Sequence, residues 1–265
     1  MLSIEEIKLL IEKLEKVKKE DLQELIDSNL KILKDLEMSV DANNYEVIDR
    51  LDKTPEWFRK DIEFKQQKPF VDEFTAKQVQ TKIFQFSRSN IYNSLEIGPG
   101  DGMFSMDFRT WRLQFFLDIS HKPEAPIRAK FPSAHQKYLK FYKTDRTECS
   151  QIPQNSCSFV FSWDTFVFFT QEHIKQYLKS IKEVMIDGGY CFLQYTDCHN
   201  DVELGHAKRG YWNYNTKTLM TEMIKDAGFE VIEMNQFRPG ASYAIFRKPG
   251  KQNPAVYKVS EITLD

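Results

Sequence analysis

Gly98, Gly100 and Gly102 stand at alternate positions behind the apolar residues Leu95 and Ile97, with Glu96 between those two. Glycine tolerates positive φ and has no Cβ, so a turn of this kind lets the backbone approach a ligand closely. The spacing is G-x-G-x-G, whereas dinucleotide sites carry G-x-G-x-x-G beneath a pyrophosphate. A carboxylate two residues ahead of the first glycine repels a pyrophosphate and attracts a cation. Asp118 follows about twenty residues on, where a carboxylate can accept from both hydroxyls of a ribose; it also suits a helix cap. Asp145 can accept from a ring amino group, or cap a turn. Asp164 lies in an apolar neighbourhood, which favours a raised pKa and suits a general base; it equally suits hydrogen bonding to nearby backbone. Residues 196–214 form a polar insertion carrying Asp197, His199, His206, Arg209, Tyr211, Trp212 and Tyr214, and binding groups concentrate on such loops. Among these proton-handling candidates Asp164 and His199 are preferred.

These residues need a frame that gathers them. From Tyr92 onward, apolar runs and helical patterns alternate, which predicts a parallel sheet with helices on both faces. Strands are expected over 94–97, 113–117, 139–143, 158–161 and 190–195. The glycine turn is expected to open a helix at Met103, whose first N–H groups point into the crevice. Further helices are expected over 172–186, stopped by Gly188-Gly189, and over 215–227. Runs 229–234 and 242–247, joined through Pro239-Gly240, read as an antiparallel hairpin. Ligands of open α/β sheets bind past the carboxyl ends of the strands. Asp118, Asp145 and Asp164 each follow such an end.

The first ninety residues differ in pattern. Ile4, Ile7, Leu10, Ile11, Leu14 and Val17 mark one helical stripe, and Leu22, Leu25, Ile26, Leu30, Leu33 and Leu36 a second. Asp21-x-x-Glu24 reads as a capping box between them. Such a pair serves either as a dimerisation or docking arm or as a cap on its own core. Thr54-Pro55 predicts another helix start, Trp57 and Phe58 an anchor, and 70–86 a helix burying Phe74, Val79, Ile83 and Phe86. The expected organisation is a helical extension over 1–90, a main domain over 91–250 and a loose tail over 251–265.

The chain has 265 residues, 41% of them hydrophobic and 14% aromatic, enough for a sizeable core. A net charge of −2 gives no field that would draw in nucleic acid or an anionic membrane. Cys149, Cys157, Cys191 and Cys198 make no C-x-x-C pair and are expected to be reduced. The acidic start and the absence of a long apolar run predict a cytoplasmic protein that does not insert into membranes.

The segment Leu95-Glu96-Ile97-Gly98-Pro99-Gly100-Asp101-Gly102 resembles motif I of class I S-adenosylmethionine (SAM)-dependent methyltransferases. The resemblance continues through Phe116-Leu117-Asp118-Ile119-Ser120, Tyr142-Lys143-Thr144-Asp145 and Ser158 to Asp164, and ends at the glycine pair before the fifth strand. It covers residues 92–248. It implies a Rossmann-like α/β fold, with a seven-stranded, mostly parallel sheet whose last strand is antiparallel, and SAM as cofactor. It places Glu96, Gly98, Gly100, Gly102, Asp118, Ile119 and Asp145 at the cofactor, with Ile119 over the adenine. Ser162 and Trp163 are then expected beside the sulfonium, which carbonyls and aromatic faces can hold. The adjacent Asp-Asn pair of catechol-type O-methyltransferases is absent, and no metal is expected. No Asn-Pro-Pro-Tyr-like motif follows strand four, a departure from amino-methyltransferases of nucleic acids. The expected reaction is methyl transfer to a hydroxyl of a small molecule, with a sugar or glycan favoured, and a homodimer through the N-terminal helices is one expected assembly. An N-methyltransferase for a small amine or protein side chain is the alternative, and a SAM-binding scaffold ranks below both.

Overall fold

The computed structural model describes Glu5 and residues 71–87, 92–108, 112–144 and 148–251. The chain divides into two units, Met1–Lys65 and Gln66–Asp265. The expected N-terminal helix pair, the Thr54 helix start, the Trp57 anchor and the tail lie outside the described residues.

Seven strands form one sheet: β1 (Asn93–Ile97), β2 (Gln114–Asp118), β3 (Leu139–Lys143), β4 (Cys157–Ser162), β5 (Met185–Gln194), β6 (Glu230–Gln236) and β7 (Ser242–Arg247). Their order is β3-β2-β1-β4-β5-β7-β6. All neighbours through β5 are parallel, while β7 runs antiparallel to both β5 and β6. The chain reverses its direction across the sheet at β1 and β4, so the carboxyl ends of these two strands flank the switch point where ligands bind.

Five described helices accompany the sheet: α1 (Glu73–Phe86), α2 (Glu124–Lys130), α3 (Gln171–Val184), α4 (Asp201–Lys208) and α5 (Lys217–Asp226). Every residue of β4 is buried, as a central parallel strand covered on both faces should be. Its side chains alternate between two cores. Val160 joins Leu95, Leu117, Leu193 and the apolar faces of α3 and α5. Phe159 and Phe161 join Val79, Ile83 and Phe86 of α1. In α3 the buried residues Ile174, Tyr177, Leu178, Ile181 and Val184 recur at helical spacing, and Thr170 caps the helix by accepting from the His173 N–H. Each such side chain contributes about 1.5–3 kcal/mol by leaving water.

Two boundaries depart from expectation. Helix α3 stops at Val184, and β5 begins at once with Met185, three residues before the glycine pair. Gly188 sits inside that strand at φ +79°, and it and Gly189 exchange backbone hydrogen bonds with Lys248 at 2.9 and 3.0 Å. The glycines thus lie within the strand, bonded to Lys248, and do not end the helix. Among the described residues, no helix follows the glycine turn. Residues 101–108 form successive tight turns, with Gly102 donating to Pro99 O, Ser105 to Gly102 O and Asp107 to Phe104 O. These three-residue bonds carry Phe104 and Phe108 onto Phe161, each with ring centroids 5.6 Å away.

Candidate active site

The glycine turn leaves β1 under tight constraint. The Gly98 N–H donates to Leu117 O at 2.8 Å, which pins the turn to the end of β2. Gly98, Gly100 and Gly102 all have positive φ, but their surroundings differ. A Cβ on Gly98 would meet Thr165 Oγ1 at 2.1 Å, and one on Gly102 would meet Ile127 Cγ1 at 2.6 Å. A Cβ on Gly100 would meet nothing within 4 Å. The outer glycines let neighbouring side chains pack on the turn, and the middle one faces open space.

Glu96 does not stand beside that open space as a fixed charge. It is 2% exposed, and Ser105 donates to its Oε2 at 2.6 Å. Burial pushes its carboxyl up to about 8, against the opposing pull of that hydrogen bond. The anionic field expected from sequence is therefore conditional: a cation brought to the turn would favour ionisation.

Asp118 closes β2 half-buried, and its Oδ1 accepts from the Ser120 N–H at 2.9 Å. Burial raises it to about 6, while the Ser120 and Ile119 N–H groups pull the other way. A carboxylate has about four acceptor sites, so capacity remains for hydroxyls. Ile119 beside it is half-buried. Thr144 donates its N–H to Asp118 O at 2.8 Å, tying the end of β3 to this corner. Asp145 lies outside the described residues.

The end of β4 carries the most unusual backbone in the site. Ser162 is buried and spends its hydroxyl on Ile97 O at 2.8 Å. Trp163 is 7% exposed and belongs to the α1-side core, edge-on to Phe192 at 5.8 Å and stacked on Phe237 at 6.1 Å. Asp164 then adopts φ +57°, a left-handed conformation uncommon for a residue with a side chain and frequent at functional sites. Gln194 Oε1 holds it there by accepting from the Asp164 N–H at 2.7 Å. Among the described residues no donor reaches the Asp164 carboxyl group, and burial alone lifts it to about 6. Thr165 bridges back to the glycine turn, its Oγ1 3.3 Å from Gly98 O.

Past β5 the chain makes a second loop over the same end of the sheet. His199 Nδ1 lies 2.8 Å from Asp197 Oδ1, which also accepts from the Lys217 N–H at 3.0 Å. Burial opposes ionisation of Asp197, but these hydrogen bonds and the imidazole hold it below the ordinary carboxylate range. No hydrogen bond or ion pair joins His199 to Asp164 among the described residues. The insertion expected to be a loop contains α4. Asn200 caps it, accepting from the Glu203 N–H and donating to Glu203 Oε1, both at 2.9 Å. Glu203 is fully buried and also accepts from Ser242 Oγ at 2.5 Å and from the Asp197 N–H. Asn213 ends the insertion by donating to Val167 O and Phe168 O, both at 2.7 Å, which docks it onto the loop that carries Asp164.

Several of these groups escape sequence reading. Thr165, Ser105 and Gln194 act through contacts across the fold and leave no local signature. The Asn200-x-x-Glu203 pair is a readable capping signal.

The open space at Gly100, the spare acceptor sites of Asp118 and the left-handed Asp164 all lie at the carboxyl ends of β1, β2 and β4. Residues 95–193 match the family model described as a methyltransferase domain. A comparison with curated protein sequences finds no match. Among solved structures, the chain is similar to the N-methyltransferase NodS from Bradyrhizobium japonicum, in complex with S-adenosylhomocysteine (SAH), at 13% identity and TM-score 0.56, covering 74% of this chain and 98% of that one. It is similar to a SAM-dependent methyltransferase from Mesorhizobium loti at 13% identity and TM-score 0.52, covering 65% and 98%. It is also similar to geranyl diphosphate C-methyltransferase from Streptomyces coelicolor at 6% identity and TM-score 0.53, covering 65% and 77%. Family match, strand order and glycine turn agree: residues 95–193 carry a methyltransferase domain on a Rossmann-like fold, an enzyme domain with SAM as its cofactor.

Proposed function

We propose that the enzyme methylates a hydroxyl of a small molecule, with a sugar or glycan as the favoured acceptor, and that Asp164 is its base. The observation that carries this reading is the Asp164 carboxyl group: left-handed backbone, no hydrogen-bond donor among the described residues, and a pKa raised by burial to about 6. A base so poised is ionised at neutral pH yet still holds a proton well enough to take one. When bound, SAM supplies an electrophilic methyl on a cationic sulfur. Gly98, Gly100, Gly102, Asp118, Ile119 and Asp145 are the residues proposed to hold it, with Glu96 answering the positive charge from behind the turn. Ser162 and Trp163 support the site from the core, fixing the strand end from which Asp164 projects. The acceptor oxygen would bond to the methyl carbon as the carbon–sulfur bond breaks and SAH departs, while Asp164 takes the hydroxyl proton. His199, oriented by Asp197, is the second proton-handling group on this side of the sheet.

The test is transfer of labelled methyl from SAM to a fractionated pool of hydroxylated metabolites. Asp164→Asn is expected to lower turnover about 10²–10⁴-fold. Equal turnover of the variant on an amine acceptor would support the N-methyl alternative. Bound cofactor with no SAH produced from any pool would support the scaffold alternative.

A further inference from the structure

The post-β5 insertion exposes an aromatic group that the proposed chemistry does not use. His206, in the last turn of α4, stacks on Trp212 with ring centroids 4.5 Å apart and an interplanar angle of 29°. Its ring also lies 6.1 Å from that of Tyr211, which is 53% exposed. The Arg209 guanidinium sits 5.6 Å from the Tyr211 ring. No carboxylate pairs with Arg209 among the described residues. Exposed aromatic faces cost free energy in water and serve ligands with a flat or CH-rich face. A cation beside them, with no acidic partner, selects for an anion. Burial and then the Arg209 charge keep the His206 imidazole below its usual range, so the stack stays uncharged near neutrality.

Its position matters as much as its composition. Trp212 immediately precedes Asn213, which is bonded to Val167 and Phe168 of the loop that carries Asp164. The shelf therefore stands at the same end of the sheet as the proposed base, on the neighbouring loop.

We infer that His206, Arg209, Tyr211 and Trp212 form the acceptor subsite, and that it takes a hydroxylated ring bearing a carboxylate. The ring lies on the aromatic faces and the carboxylate meets Arg209. This rests on the reading of Asp164 as the base for a hydroxyl acceptor, and it narrows that acceptor to an acidic one.

The probes are D-glucuronate and 4-hydroxybenzoate, with methyl glucoside and 4-hydroxybenzyl alcohol as their neutral counterparts. Each is titrated into the full-length protein saturated with SAH, and the indole N–H signal of Trp212 is followed by nuclear magnetic resonance, assigned with Trp212→Phe. The expected result is a saturable shift with one or both carboxylates, weakened about tenfold or more by Arg209→Gln and by Tyr211→Ala. A saturable shift with only one of them identifies a sugar or an arene. An unmoved signal, equal affinity for a neutral counterpart, or an affinity indifferent to Arg209→Gln overturns the subsite. Calorimetry of SAH with each variant should be unchanged, since these residues lie apart from the glycine turn; a parallel loss of SAH affinity overturns the assignment. Methyl transfer to whichever carboxylate binds is measured separately. Binding without transfer leaves the subsite standing and removes the hydroxyl-transfer reading.

Discussion

A methyl added at Gly98 runs into Thr165 at 2.1 Å, whereas one added at Gly100 enters open space. Both substitutions hold a side chain in the left-handed region, at about 1–2 kcal/mol each. Gly98→Ala also overpacks the bridge to the β4 loop, for about 1–3 kcal/mol more. Thermal denaturation should therefore show Gly98→Ala as the less stable variant. Calorimetry should show the opposite emphasis, with Gly100→Ala weakening SAH about tenfold or more while its fold holds. Equal SAH affinity in Gly100→Ala and the parent would remove the face of Gly100 as a cofactor site. Asp164 permits a second test, in which stability and activity move in opposite directions. Its carboxyl titrates near 6 in the folded chain and near 3.8 without burial. Between those values the folded state holds the extra proton, so this contribution to stability is present at low pH and lost as pH rises through about 6. Asparagine has no such dependence and tolerates the left-handed backbone. Asp164→Asn should then be more stable than the parent by about 1 kcal/mol at pH 7.5, allowing for partial solvent screening, and no more stable at pH 4. In the parent, turnover should rise with pH and level off at or below about pH 6, because a nearby cation favours the ionised carboxylate. The variant should lack that limb.

Helix α4 shows how an element sets a loop. Its cap, Asn200, is bonded reciprocally to Glu203, which in turn receives Ser242 and the Asp197 N–H. Removing the cap with Asn200→Ala should cost about 1 kcal/mol and raise hydrogen exchange across α4, while β1 and β4 stay protected. Uniform loosening would mean that α4 unfolds only with the whole domain. The same element shows where sequence reading ran out. Strands β1 to β4 were legible because apolar runs between turn signals have few other uses in an α/β pattern, and the order of acidic strand ends followed from them. Helix α4 was hidden by its composition: the buried Glu203 breaks the apolar period, and only the Asn-x-x-Glu spacing marks it. The turn after Gly102 was misread for the converse reason. Met103, Phe104, Met106 and Phe108 satisfy a helical pattern, but the backbone takes three-residue bonds that aim both phenylalanines at Phe161. Trp163 was expected beside the sulfonium for its aromatic face at the end of strand four; its contacts with Phe104, Phe192 and Phe237 place its ring in the core, which the sequence did not show.

For the molecule as a unit, the cofactor should act as part of the fold. The turn at Gly98, the Asp118 corner and the Asp164 loop are joined by single hydrogen bonds through Leu117, Thr144 and Thr165. A ligand spanning them ties together strand ends that packing alone leaves on separate loops. SAH at a hundred times its dissociation constant should stabilise the chain by about 2.7 kcal/mol. For a domain of this size that corresponds to a rise in Tm of about 5–10 °C. NAD offers the turn a pyrophosphate where no helix N-terminus among the described residues stands ready to receive it, and where Glu96 is a latent negative charge. It should leave Tm unchanged at the same concentration. Glu96→Gln separates the electrostatic part of this preference from the shape of the glycine turn. It keeps a hydrogen-bonding group for Ser105 and removes the charge that a cation can call up. The variant should fold as stably as the parent at pH 6, where the buried carboxyl is protonated, and bind SAM more weakly at pH 8. An unchanged affinity at pH 8 would leave selection of the cationic donor to shape and hydrogen bonding alone.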